Sequence, residues 1–175
     1  SRTCILPTLY RVMTRPSLNL LAAIANALDS VQGVSMPGLH LEGPFLALPG
    51  AGADTVPGDL GLLTEILHAC RGRVLAMSIS PETPNILPVI EHLRERRILP
   101  FITHTRATAE QTQAAIDAGA AHATHFYNVF PPPPETEPGC RACGAVEAVL
   151  ADPRVSVDFI CDGVQSIAAG ALRGL

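Results

Sequence analysis

Residues 98–126 read ILPFITHTRATAEQTQAAIDAGAAHATHF, and this stretch decides the fold. Ile98 to Thr103 is an apolar run of strand length. Thr108-Ala109-Glu110-Gln111 follows with a capping-box pattern, which opens a helix. Gly119 sits where a glycine ends one. Ala121 to Phe126 then reads as a second strand. Strand, helix and strand in about 30 residues make a βαβ unit, whose right-handed crossover leaves its two strands parallel. His104 and His125 fall at the carboxyl ends of those strands.

The same alternation runs outward in both directions. Cys4 to Leu9 is a predicted strand, and Arg15-Pro16-Ser17 starts a helix whose face carries Leu18, Leu21, Ala22, Ala25 and Leu28. Val34 to Leu41 is a strand, and Leu60, Leu63, Ile66, Leu67 and Cys70 form the next helical stripe. Arg73 to Ser78 is a strand, and Ile86, Leu87, Ile90 and Leu93 a helix. Beyond the central unit, Gly144 to Leu150 is a helix stopped before Pro153, and Val155 to Cys161 the last strand. Six strands alternating with five helices predict an α/β fold with a parallel sheet, its strands apolar on both faces. An open doubly wound sheet and a piece of a (β/α)₈ barrel of the TIM type both fit. No Gly-rich dinucleotide fingerprint follows the first strand, which disfavours the former.

Composition narrows the function. The chain has 175 residues, 47% hydrophobic and 16% charged, enough for one domain with a real core. Its net charge of −4 disfavours a nucleic-acid binder. No apolar run approaches the roughly 20 residues of a membrane helix; Leu18 to Leu28 is too short. Five cysteines are too sparse for a disulfide scaffold. Cys4, Cys70 and Cys161 read as core residues in a reducing compartment, and with no leader legible a cytoplasmic protein is expected. Cys140-Arg141-Ala142-Cys143 lacks the second ligand pair of a zinc site and reads as loop, and Pro131 to Pro134 stiffens the segment after His125. Arg94-Glu95-Arg96-Arg97 suits a helix C-terminus.

The polar residues carry the chemistry. Glu42, Ser80, His104, His125 and Asp162 each fall at the carboxyl end of a predicted strand, the edge where α/β folds keep their ligand sites. Glu42, His104 and His125 supply a carboxylate and two imidazoles, a ligand set for one divalent ion such as Zn, Fe or Mn. An ion so held lowers the pKa of a bound water and polarises a carbonyl oxygen.

Four blocks in this order resemble the N-acetylglucosamine-6-phosphate deacetylases of the amidohydrolase superfamily. They are His40-Leu41-Glu42-Gly43-Pro44-Phe45, Thr103-His104-Thr105-Arg106-Ala107-Thr108, Ala123-Thr124-His125-Phe126-Tyr127-Asn128 and Asp162-Gly163-Val164. Ser80-Pro81-Glu82 is similar to the family's Ala-Pro-Glu segment. The resemblance implies a metal-dependent (β/α)₈ barrel with Glu42, His104 and His125 as metal ligands. It puts Ala53, Asp54, Asn128, Val129, Thr136 and Gln165 at the substrate, an amino sugar phosphate. The implied reaction is hydrolysis of the N-acetyl group of N-acetylglucosamine 6-phosphate to acetate and glucosamine 6-phosphate.

Departures from the family pattern qualify the activity. Gly52-Ala53 leads to Asp54 where the family has His, Thr136-Glu137-Pro138-Gly139 stands for Arg-Glu-Pro-Gly, and Gln165 stands for His. Each change removes a cationic or potentially cationic group from the expected phosphate site. A whole barrel takes about 250 residues, so the chain is expected to be one incomplete barrel domain over residues 1–175, lacking the first and last barrel strands. The family's general acid–base Asp then lies beyond the C-terminus, and turnover is expected to be impaired. Two open sheet edges invite a further chain segment or a second copy of the chain. The alternatives are an inactive relative or fragment that binds metal or sugar, and a deacetylase of a different acetamido substrate.

Overall fold

The computed structural model describes residues 3–162. Its strands are β1 (Thr8–Leu9), β2 (Leu39–Glu42), β3 (Val74–Ile79), β4 (Leu99–Ile102), β5 (His122–Ala123) and β6 (Ser156–Val157). Its helices are α1 (Leu18–Ala27), α2 (Leu60–Ala69), α3 (Ile86–Glu95), α4 (Ala109–Ala118) and α5 (Ala145–Ala151). Every strand pairing is parallel, and the spatial order β1-β2-β3-β4-β5-β6 repeats the order along the chain. A doubly wound sheet must reverse direction at a switch point, whereas a barrel winds one way. The fold is therefore α/β with six strands of a partial TIM-type barrel, and β1 and β6 are its outer strands.

Local signals explain the helices. Asp59 caps α2, its carboxylate accepting from the Gly61 and Leu62 N–H groups. Thr108 and Gln111 form the capping box of α4, and Gly119 ends that helix. Both devices satisfy N–H groups that a helix start leaves without partners.

The strands are shorter than the apolar runs suggest. The Val34 to Leu41 run yields a strand only from Leu39, because Pro37 has no N–H to donate. Cys4 contributes only an isolated bridge to Ser35. The Ala121 to Phe126 run stops pairing after Ala123, where His125 and Tyr127 turn into left-handed backbone at φ 36° and 73°. Nor are the strands apolar on both faces. Leu39, Leu41, Met77, Ile79, Ile102 and Ala123 join the helix-side core with Leu63, Ile66 and Ile90. Fully burying each large aliphatic side chain among them contributes about 1.5–3 kcal/mol. On the opposite face His40 bonds Thr8 Oγ1 and Ser78 Oγ, and Phe101 packs against the rings of His40 and His122. Of the three cysteines read as core, Cys70 is buried, while Cys4 and Cys161 are exposed.

Candidate metal centre

Glu42 is the last residue of β2, and alternation along the strand puts its carboxylate on the polar face with His40. His104 follows β4 and His125 follows β5, so three neighbouring segments deliver their side chains to one rim. Glu42 Oε1 lies 2.8 Å from His104 Nε2 and 3.3 Å from His125 Nε2. One donor atom from each residue lies within 4.8 Å of the others. Ligand atoms about 2.0 Å from a tetrahedral cation stand roughly 3.3 Å apart, so a carboxylate and two imidazoles at these separations fit a single divalent ion.

The supporting residues aim the rings. His104 is buried, and its Nδ1 lies 2.8 Å from the Leu48 carbonyl, which accepts the Nδ1–H and aims Nε2 at Glu42. The Leu48 N–H donates to the His104 carbonyl at 3.1 Å, so the loop after β2 holds this histidine from two sides. His125 Nδ1 lies 3.2 Å from the Asn128 carbonyl, and Thr103 Oγ1 lies 3.2 Å from Nε2. Glu82 accepts from Thr105 Oγ1 at 2.6 Å and the Arg106 N–H at 2.7 Å, tying down the loop behind His104.

Electrostatics follow from this geometry. Hydrogen bonds from His104 and then His125 hold the Glu42 carboxyl far below the usual carboxylate range, against the opposing effect of burial. Burial works against a charged His125, but its hydrogen bond to Glu42, the Glu42 charge and the Asn128 carbonyl together raise its pKa. His104, His125 and Val129 all have left-handed backbone, at φ 49°, 36° and 59°. Such conformations cost about 1–3 kcal/mol each and persist where surrounding structure enforces them.

A cavity of about 250 Å³ opens on Glu42, His104 and His125, walled also by Tyr10, Ala51, Ala53, Asn128, Val129 and Ile160. Of the residues that the resemblance puts at the substrate, Ala53, Asn128 and Val129 line this cavity. Asp54 and Thr136 are not in that wall, and Thr136 is exposed. Gln165 lies outside the described residues, as do Gly163 and Val164. Ser80 is a staple rather than a ligand. Its hydroxyl accepts from the Ala47 N–H and lies 2.9 Å from the Thr103 and His104 carbonyls. Asp162, unlike Ser80, is not at a strand end, because β6 stops at Val157. Asp158 holds that place instead. It accepts from the His125 N–H at 2.5 Å, from Thr124 Oγ1 at 3.1 Å and from His122 Nε2 at 3.0 Å. Reading Val155 to Cys161 as one strand concealed it.

No family model matches the chain. It is 30% identical over 169 residues to the N-acetylglucosamine-6-phosphate deacetylase of Bacillus subtilis (strain 168), across 90% of this chain and 41% of that protein. The crystal structure of N-acetyl-D-glucosamine-6-phosphate deacetylase from Mycobacterium smegmatis superposes with a TM-score of 0.82 at 31% identity. This chain is similar to a central portion of the N-acetylglucosamine-6-phosphate deacetylases. The M. smegmatis match covers 98% of this chain and 48% of that one, so the chain spans less than half the length of these deacetylases. A mutant of the M. smegmatis deacetylase in complex with N-acetyl-D-glucosamine-6-phosphate superposes with a TM-score of 0.80 at 30% identity, over 98% of this chain and 44% of that one.

Proposed function

We propose that this chain carries the metal-binding part of a site that hydrolyses the N-acetyl group of N-acetylglucosamine 6-phosphate, giving acetate and glucosamine 6-phosphate. The observation that carries this reading is the convergence of Glu42, His104 and His125 on one cavity. One divalent ion, Zn, Fe or Mn, is held by these three side chains, and when bound it supplies an activated water and polarises the amide carbonyl. Glu42 brings the negative charge that offsets part of the ion's own, and the Leu48 carbonyl keeps His104 in the tautomer that can ligate. Ala53, Asn128 and Val129 bound the space for the acetamido sugar. At about 250 Å³ the cavity is small for a ligand site and suits one sugar residue.

Glu42 is the only carboxylate in the cavity wall among the described residues, and both imidazoles engage it. No second carboxylic acid among the described wall residues can protonate the leaving amine, and a site lacking such an acid turns over about 10²–10⁴ more slowly than one that has it. The same observation favours a second reading, a metal- and sugar-binding module without turnover. No helix among the described residues is long and apolar enough to cross a membrane. A phosphorylated sugar does not cross one freely, and a cytoplasmic setting belongs to this reading.

Metal analysis of the purified chain, with Glu42→Ala beside it, tests the ligand set. One divalent ion per chain, lost in the variant, supports it; no ion, or equal loading of both proteins, overturns it. Acetate release from N-acetylglucosamine 6-phosphate by the loaded protein separates enzyme from module. Detectable release abolished by Glu42→Ala supports the hydrolase, and metal and sugar binding with no release supports the module.

A further inference from the structure

We propose that Arg11 reads the anionic end of the substrate, its guanidinium pairing beside the cavity with the phosphate monoester of the sugar. The proposal rests on the deacetylase reading of the site and adds to it the residue that selects a phosphorylated ligand. β1 ends at Leu9, and Tyr10 beyond it lines the cavity. In a continued strand Arg11 would face away from Tyr10, towards the helices. Its backbone instead turns left-handed, at φ 64°, a conformation that disfavours any side chain with a Cβ. The guanidinium comes to rest on Gly52. A Cβ built there would lie 3.0 Å from Nη2, 3.1 Å from Cζ and 3.4 Å from Nε of Arg11. Gly52 is itself at φ 115°, so the contact depends on a glycine twice over. Its neighbours Ala51 and Ala53 are both cavity wall, so the cation lies beside the cavity and outside the wall itself.

Charge completes the argument. Arg15, Arg73, Arg141 and Arg154 each pair with a carboxylate. The Arg11 side chain has no hydrogen bond or ion pair among the described residues, as is also true of Arg94, Arg96, Arg97 and Arg106, but its guanidinium is the one resting on Gly52 between two residues of the cavity wall. The cavity wall itself contains no lysine or arginine. A dianionic phosphate next to Glu42 would need a cation nearby, and a guanidinium offers the two-pronged donor geometry that matches phosphate oxygens.

Calorimetric titration of the metal-loaded full chain with N-acetylglucosamine 6-phosphate and with N-acetylglucosamine tests this directly. The wild type is expected to prefer the phosphosugar. Arg11→Ala is expected to weaken phosphosugar binding about tenfold or more while changing the unphosphorylated sugar by less than about twofold. Arg11→Lys should retain part of the preference, and inorganic phosphate should compete in the wild type but not in Arg11→Ala. Arg11→Gln replaces the alanine variant if that one does not fold. Equal phosphosugar affinity in wild type and variant, or equal loss for both sugars, overturns the role of Arg11. A wild type that binds both sugars without preference overturns Arg11 alone and leaves the deacetylase reading standing. A wild type that binds neither overturns both.

Discussion

Gly50 and the imidazole of His104 occupy one space between them: a Cβ built on Gly50 would fall 2.4 Å from His104 Cε1 and 2.9 Å from Nδ1. The loop after β2 therefore packs its bare backbone against the ring whose Nδ1 bonds Leu48 two residues earlier. Gly50 also has φ 50°, so an alanine there is strained before it touches the ring. Gly50→Ala is expected to push His104 off its aim at Glu42 and weaken divalent metal binding about 10–100-fold, the usual cost of a lost supporting contact. Competition with a chelating indicator dye measures this. Unchanged affinity would mean that the loop does not position His104.

Asp158 buttresses the other imidazole through the backbone. Its carboxylate gathers the His125 N–H, Thr124 Oγ1 and His122 Nε2, joining β6 to the turn that presents His125. The side chain is about half exposed, so water partly replaces what a mutation removes. Asp158→Ala is expected to destabilise the fold by about 1–2 kcal/mol and to reduce metal affinity as well. Asp158→Asn keeps one acceptor oxygen and should lose less. Urea unfolding with parallel metal titration checks both effects; a stability loss with metal binding intact would confine Asp158 to a structural role.

His40 makes stability depend on pH. It is 5% exposed, and burial pushes its pKa down to about 4, the negative charges of Glu42 and Asp158 opposing only part of the shift. Its ring nitrogens bond Thr8 Oγ1 at 3.0 Å and Ser78 Oγ at 2.8 Å. An unfolded histidine titrates near pH 6.5. Between these values the unfolded chain binds a proton that the folded one refuses, so stability falls as pH drops from about 6.5 towards 4 and is complete above that window. At pH 5 the loss attributable to His40 is about 2 kcal/mol. Denaturant unfolding at pH 7.5 and pH 5, in wild type and His40→Gln, isolates it. If both proteins lose equal stability, the pH response originates elsewhere.

Much of this was legible before any coordinates. The capping box at Thr108 and Gln111 and the glycine at position 119 act over a single turn, so a short window of sequence is enough to read them. The placement of Glu42, His104 and His125 at strand ends was equally legible, because strand and helix periods locate the ends of elements to within a few residues. Strand length was not. Whether Ala121 to Phe126 stays paired depends on neighbours far along the chain and on the left-handed turns after Ala123. Asp158 was hidden for the same reason, as its role exists only once β6 lies beside β5.

Taken by itself, the order of residues determined the alternation of strands and helices, the class of the fold and the three side chains able to hold a metal, since each of these rests on local periodicity and on chemical type. The choice of a one-way barrel over a doubly wound sheet, the seating of His104 on Gly50 and the resting place of the Arg11 guanidinium on Gly52 were decided by tertiary structure alone. Those are relations between segments distant in the chain, and their distances are set only when packing brings the segments together.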